Sequence, residues 1–94
     1  MADSIKNDVR VIAFKGADGW IAHCVEYDIC AQGQDLPAVR RNMTATLMAE
    51  YEYTKKEFGK AFEGIDPAPS YLAAAFEEAE EIKVEGDLNL RLAA

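Results

Sequence analysis

The residues best suited to chemistry sit in one run, His23-Cys24-Val25-Glu26-Tyr27-Asp28-Ile29-Cys30. His and Cys are zinc ligands, and zinc wants four tetrahedral donors, or three with one position open. The alternation from Trp20 to Val25 reads as a strand, however. It puts Trp20, Ala22 and Cys24 on one face and Ile21, His23 and Val25 on the other. His23 and Cys24 therefore cannot easily share a metal. Cys30 is expected across a hairpin from Cys24, where two facing thiols act as packing groups. The same geometry separates Cys24 from the sole His, the base that a cysteine nucleophile would need. No glycine-rich phosphate loop is present. Glu26 and Asp28 have the chemistry to hold magnesium, but carboxylates in a bend are more often solvated or turn-forming. The expectation is no catalytic residue, no cofactor, no metal and no enzyme. Tyr51, Tyr53, Phe58 and Phe62 have the chemistry of a base-stacking platform; their spacing fits a helix stripe, which predicts core.

The elements that position these residues follow from periodicity. Val9 to Phe14 reads as a first strand, Lys15 to Gly19 as a turn, and Trp20 to Val25 as a second strand. Trp20, the largest apolar group in a strand, is expected to anchor the sheet to the long helix. Glu26-Tyr27-Asp28 is a tight bend, and Ile29 to Gln32 a short strand closed by Gly33. Asp35 stands where a helix N-cap belongs, with Pro37 in the first turn. Leu36, Val39, Met43, Leu47, Tyr51, Phe58 and Phe62 form one stripe, and the helix is expected to end at Gly64 and Asp66-Pro67-Ala68-Pro69. Ser70 is the expected cap of a second helix, with Leu72, Ala75, Phe76, Ala79 and Ile82 facing inward. Leu88, Leu90 and Leu92 alternate with polar residues as a last strand. The order β-β-β-α-α-β implies a small α+β domain, with an antiparallel sheet and helices on one face.

The chain has 94 residues and a net charge of −7, with half its residues apolar. That describes one globular domain, residues 1–94. Residues 63–94 carry eight acidic and two basic groups, whereas residues 34–62 carry five basic and four acidic. Nucleic-acid binders neutralise phosphates with Lys and Arg, so direct nucleic-acid binding is not favoured. The one basic stretch, Arg40 to Lys60, keeps a regulator that binds RNA or DNA as the alternative. An acidic surface fits a basic protein partner. Glu26 and Asp28 are candidate contacts for it. Glu77, Glu78 and Glu81 crowd the end of the second helix, oppose its dipole, and would be relieved by such a partner or by solvent. A domain this small has a thin stability margin, and a homodimer or larger oligomer is expected. No apolar run is long enough for a bilayer and no apolar leader stands at the N-terminus, so a cytoplasmic protein is expected.

The stretch from Trp20 to Leu47 resembles the HicB antitoxin family. The resemblance rests on Asp18-Gly19-Trp20-Ile21-Ala22-His23-Cys24-Val25-Glu26-Tyr27-Asp28, then Ala31-Gln32-Gly33, then Asp35, Leu36 and, in the second turn of the helix, Asn42. The link Gly64-Ile65-Asp66-Pro67-Ala68-Pro69 is similar to the one that follows the helix in that family. The chain departs from the family pattern at Val25, where Pro is usual, at Ile29, where Gly is usual, and at Asp35, where Thr is common. The resemblance implies a partial ribonuclease-H-like fold without the nuclease site. It implies an antitoxin for a small, basic, RNA-cleaving HicA-type toxin. Gly33, Asp35 and Asn42 are then structural positions, as are Trp20, Leu88 and Leu90 from their patterns. Residues 70–94 add an acidic helix and a terminal strand. Leu88 to Leu92 resembles the strand of a ribbon-helix-helix module without its helices, so no complete C-terminal DNA-binding module is expected. The strand would pair in the main sheet or across a dimer.

Overall fold

The computed structural model describes residues 9–81 and 88–93. Strands β1 (Arg10–Gly16) and β2 (Gly19–Cys24) form a hairpin, with Val11 opposite Cys24 and Gly16 opposite Gly19. The turn needs glycine at position 19, where φ is 143°. Strand β3 (Cys30–Gly33) pairs antiparallel with β2, His23 facing Cys30. Helices α1 (Leu36–Phe58) and α2 (Tyr71–Glu78) follow, then the two-residue β4 (Glu80–Glu81) and β5 (Asn89–Leu92). The α+β class and the element order agree with the sequence, with β4 added. The sheet, ordered β3-β2-β1-β5-β4, is mixed rather than antiparallel. β5 runs parallel to β1, Val11 beside Leu90, a pairing that needs a long crossover. The two helices and their link supply one.

The helices do not share a face. Val11 and Ala13 of β1, Ala22 and Cys24 of β2 and Leu90 of β5 pack with Val39, Met43, Leu47 and Tyr51 of α1. Ile12 packs instead with Val25, Leu72 and Phe76. Neighbouring strand residues point to opposite faces, so α2 lies on the face away from α1. The reason is visible in β1, where Val11, Ile12 and Ala13 are all fully buried. Such a continuous apolar run belongs to a strand covered on both sides.

Asp35 caps α1, its Oδ1 accepting from the Ala38 amide at 2.9 Å. Asp35→Ala should cost about 1 kcal/mol in urea unfolding. Basic Lys55 and Lys56 suit the last turn. The helix ends earlier than the sequence suggests. Gly59 takes the left-handed conformation at φ 78°, and its amide donates to the Lys55 carbonyl. Phe58 is consequently 56% exposed and Tyr53 59%, so neither belongs to the core stripe. Phe62 does reach the core, but from the turn beyond, at φ 63°. Its ring stacks on Tyr27 at 4.7 Å and meets Tyr51 edge-on at 5.9 Å. Its amide donates to the buried Thr54 hydroxyl at 2.6 Å, and that hydroxyl donates to Glu50 O at 2.7 Å. Thr54→Val keeps the shape and orphans the Phe62 N–H, so a loss of about 1–2 kcal/mol is expected by chemical denaturation.

Ser70 makes no side-chain cap; its backbone is already helical, and α2 starts from a turn on Pro69 O. Leu72 and Phe76 are the buried residues of α2. Ile82 lies outside the described residues. Leu88 and Leu90 are buried, and Leu92 packs against the α1-side core.

Candidate functional site

Three of the acidic candidates meet at one end of the sheet, where β2 finishes. The bend after β2 is fixed by backbone bonds from the Val25 amide to Arg10 O at 2.8 Å and from the Cys24 amide to Ile29 O at 2.9 Å. It is also stapled to the α1–α2 link. Asp28 N donates to Asp66 O at 2.9 Å, Ala68 N to Glu26 O at 3.3 Å, and Tyr27 bridges Pro67. The tight bend expected at Glu26-Tyr27-Asp28 is thus tied by backbone hydrogen bonds to a distant segment of the chain.

Arg10 organises the carboxylates. Glu26 accepts from the Arg10 amide at 2.7 Å and from its Nε at 2.6 Å. Arg10 Nη1 reaches Glu77 Oε1 at 3.5 Å, and its guanidinium lies 5.4 Å from the Phe76 ring centre. Glu26 and Glu77, from the bend and from α2, are thus joined through one cation. Arg91 of β5 lies over the same ring at 4.4 Å and donates from Nη1 to Phe76 O at 2.9 Å. That carbonyl also accepts the Ala79 amide at 3.1 Å, so Arg91 adds a second, charged donor at the end of α2. The charge relief expected from a partner or solvent therefore comes in part from inside the chain. Glu78 is exposed, and Glu81 falls in β4, its side chain outside the described set. Asp28 stands 3.2 Å from His23 Nε2, while His23 Nδ1 meets Cys24 O at 2.8 Å.

Glu26 and Asp28 now separate in role. Glu26 is largely shielded and bonded twice; Asp28 is exposed. Glu26→Gln should lower stability by about 1 kcal/mol, a loss of one charge-assisted bond discounted for solvent. Asp28→Asn should leave the melting temperature within about 1 °C, since exposed pairs contribute little. Equal effects of the two variants in thermal melts would contradict this division.

The cysteines are further apart in role than the sequence suggests. Cys24 faces α1 and is buried, and Cys30 pairs instead with His23 on the opposite face. Burial pushes the Cys24 thiol up from its ordinary value, and the nearby Glu26 carboxylate adds to this. Cys24 is accordingly a neutral packing group at physiological pH. Both His23 ring nitrogens already face oxygen atoms, so the ring is not aimed at Cys30 as a base. Among the described residues, no three His, Cys, Asp or Glu side chains are grouped to hold a metal.

The opposite end of the sheet carries a cleft of about 440 Å³. It lies between the β1–β2 turn and the β3–α1 junction, and Trp20 forms one wall. Trp20 packs against the margin of the α1-side core and is only partly buried. Gly33 sits where α1 crosses β3, and a Cβ there would collide with the backbone of Ala38 and Val39. Asn42 Nδ2 donates to Gln32 O at 2.7 Å, tying α1 to β3. Sequence reasoning did not single out Arg10, Thr54 or the His23–Asp28 contact. Only Arg10 had a local signal, since alternation aligns it with Ile12 on the α2 face.

No family model, curated protein or solved structure matches this chain. Among the described residues, no helix is long and apolar enough to cross a membrane.

Proposed function

We propose that this chain is a HicB-like interaction protein. Its acidic face binds and neutralises a small basic, RNA-cleaving partner of the HicA type by covering it, without catalysis of its own. The observation that carries the reading is the meeting of Glu26, Asp28 and Glu77 at one end of the sheet, with exposed Glu78 next in α2. Arg10 offsets only part of that charge. The Asp18-to-Asn42 motif supports the same reading and supplies the class of partner. A fixed acidic surface steers a basic protein and selects against acidic ones.

The test is a pull-down of the tagged chain from native lysate at low and high salt. Bound proteins and nucleic acids are identified, and RNA cleavage by any captured protein is assayed with and without the chain. A small basic protein whose cleavage is suppressed is the expected result. Asp28→Lys with Glu78→Lys should weaken that capture roughly tenfold, since rim charges act mainly on association. A basic protein that cleaves RNA equally well when bound would defeat the proposal.

A second reading has its own observation. Tyr53 and Phe58 are exposed and touch edge-on at 6.4 Å, close in sequence to Lys55, Lys56 and Lys60. Aromatic faces beside lysines suit single-stranded nucleic acid. Under that reading the pull-down retains RNA or DNA without a basic protein, in a steeply salt-dependent way.

A further inference from the structure

The second face of the sheet is only half covered. α2 packs over Ile12 and Val25. The rows continue across β2 and β3 as Ile12–His23–Cys30 and Phe14–Ile21–Gln32. On that half Ile21 is 42% exposed, and Cys30 and Gln32 are exposed, whereas His23 between them is partly covered by Asp28. Two strands span about 10 Å, close to the 10–12 Å diameter of one helix. The strip is apolar at Ile21. Exposed Asp28 lies on this strip, against His23, at the acidic end of the sheet.

We infer that the bare β2–β3 half of this face receives one basic amphipathic helix from a partner protein, lying beside α2. Its apolar stripe covers Ile21 and Cys30, and its lysines or arginines face the exposed carboxylate of Asp28. This rests on the interaction reading above for the existence of a basic protein partner; the site and the element are new. Face-on docking is favoured over strand addition at the β3 edge. The bond from Cys24 N to Ile29 O fixes which pairs exchange hydrogen bonds, so Cys30 and Gln32 present their backbone groups outward. The Gln32 carbonyl is already taken by Asn42. One of the acceptors that an added strand would need is therefore already used.

Cys30 is a built-in reporter of the strip, and buried Cys24 is its internal standard. Alkylation by iodoacetamide is followed by mass spectrometry on the full-length protein. The probe is a 14-residue Leu/Lys helix with an apolar stripe, compared with an isomer of the same composition whose leucines are scattered. Cys30 in the free protein should react at the rate of an exposed thiol. A slow rate would mean that another segment or a second copy covers the strip, and would overturn the inference. The amphipathic peptide should slow alkylation roughly tenfold at saturation, and the isomer should not. Ile21→Glu should abolish the protection. Should that variant not fold, Gln32→Arg, with an exposed side chain, should weaken it by charge repulsion. Equal protection by both peptides, or binding that leaves Cys30 reactive, overturns the assignment. The two proposals fail separately. A captured basic protein that leaves Cys30 reactive removes the docking strip and keeps the function. Protection by the peptide with no basic protein captured does the reverse.

Discussion

Gly33→Ala is expected to lower stability by about 3 kcal/mol, at the upper end of overpacking effects. The single added methyl group would meet the Ala38 carbonyl carbon and the Val39 nitrogen and Cα. These are backbone atoms at the start of a 23-residue helix, so no side-chain rotation can relieve the contact. Relief requires α1 to lift from β3, which would loosen Val39 and Met43, both fully buried, and stretch the Asn42–Gln32 bond. Gly59→Ala is the control. A Cβ at Gly59 meets nothing within 4 Å, but the residue has φ 78°. Its cost is the left-handed backbone alone, about 1–2 kcal/mol. Urea unfolding of both variants checks the contrast. A Gly33→Ala loss no larger than that of Gly59→Ala would show that the helix start adjusts freely.

That contrast also marks what local pattern can and cannot convey. Asp35, Pro37 and the stripe from Leu36 to Tyr51 announce α1, because capping and period are properties of neighbouring residues. Where α1 ends depended on a competition. Phe58 and Phe62 continue the spacing, so the apolar pattern argues for more helix than there is. Gly59 is cheap in the left-handed cap, and it wins. Phe62 then enters the core through a turn held by Thr54, an arrangement with no periodic signature. Sheet order is a further step removed. The alternation of Leu88, Leu90 and Leu92 marks a strand, but its parallel neighbour β1 lies almost eighty residues earlier. The fully apolar Val11-Ile12-Ala13 run was the available sign that both faces of β1 are covered.

The candidate site was legible in its ingredients and not in its pairing. Glu26, Asp28, Glu77 and Glu78 are plain in the sequence as acidic positions. Their partners are set by tertiary contacts. Arg10 precedes Glu26 by 16 residues yet bonds it twice, and His23 takes Asp28 only because the bend folds back over the end of β2. Charge counts predicted an acidic face. They did not predict that one of its carboxylates is committed to structure while another remains exposed for a partner. The same holds for the thiols: one residue of register places Cys30 opposite His23 rather than Cys24 and puts the two sulfurs on opposite faces.

Leu90→Ala should cost about 2–4 kcal/mol, and the loss should not depend on protein concentration. Leu90 is 3% exposed and lies beside Val11 in the interior of the sheet, facing α1. Removing three heavy atoms leaves a cavity bounded by Val11 and α1, elements whose places are fixed by their other neighbours, so collapse is limited. The concentration dependence separates two roles that alternation alone leaves open. If β5 completes the sheet of its own chain, unfolding is unimolecular and the midpoint is constant over a hundredfold range of concentration. If β5 is exchanged between two copies, the midpoint rises with concentration, because association and folding are then linked. The Ala93 amide donates to Ala13 O at 2.9 Å, which extends the β1–β5 ladder by one residue. β5 also stands between β1 and β4. Arg91 on the same strand holds the end of α2 from the other face. A β5 contributed by another copy would bring that contact with it. A constant midpoint for both the wild type and Leu90→Ala is therefore expected, and a midpoint that climbs with concentration in either would place the strand in a neighbour's sheet.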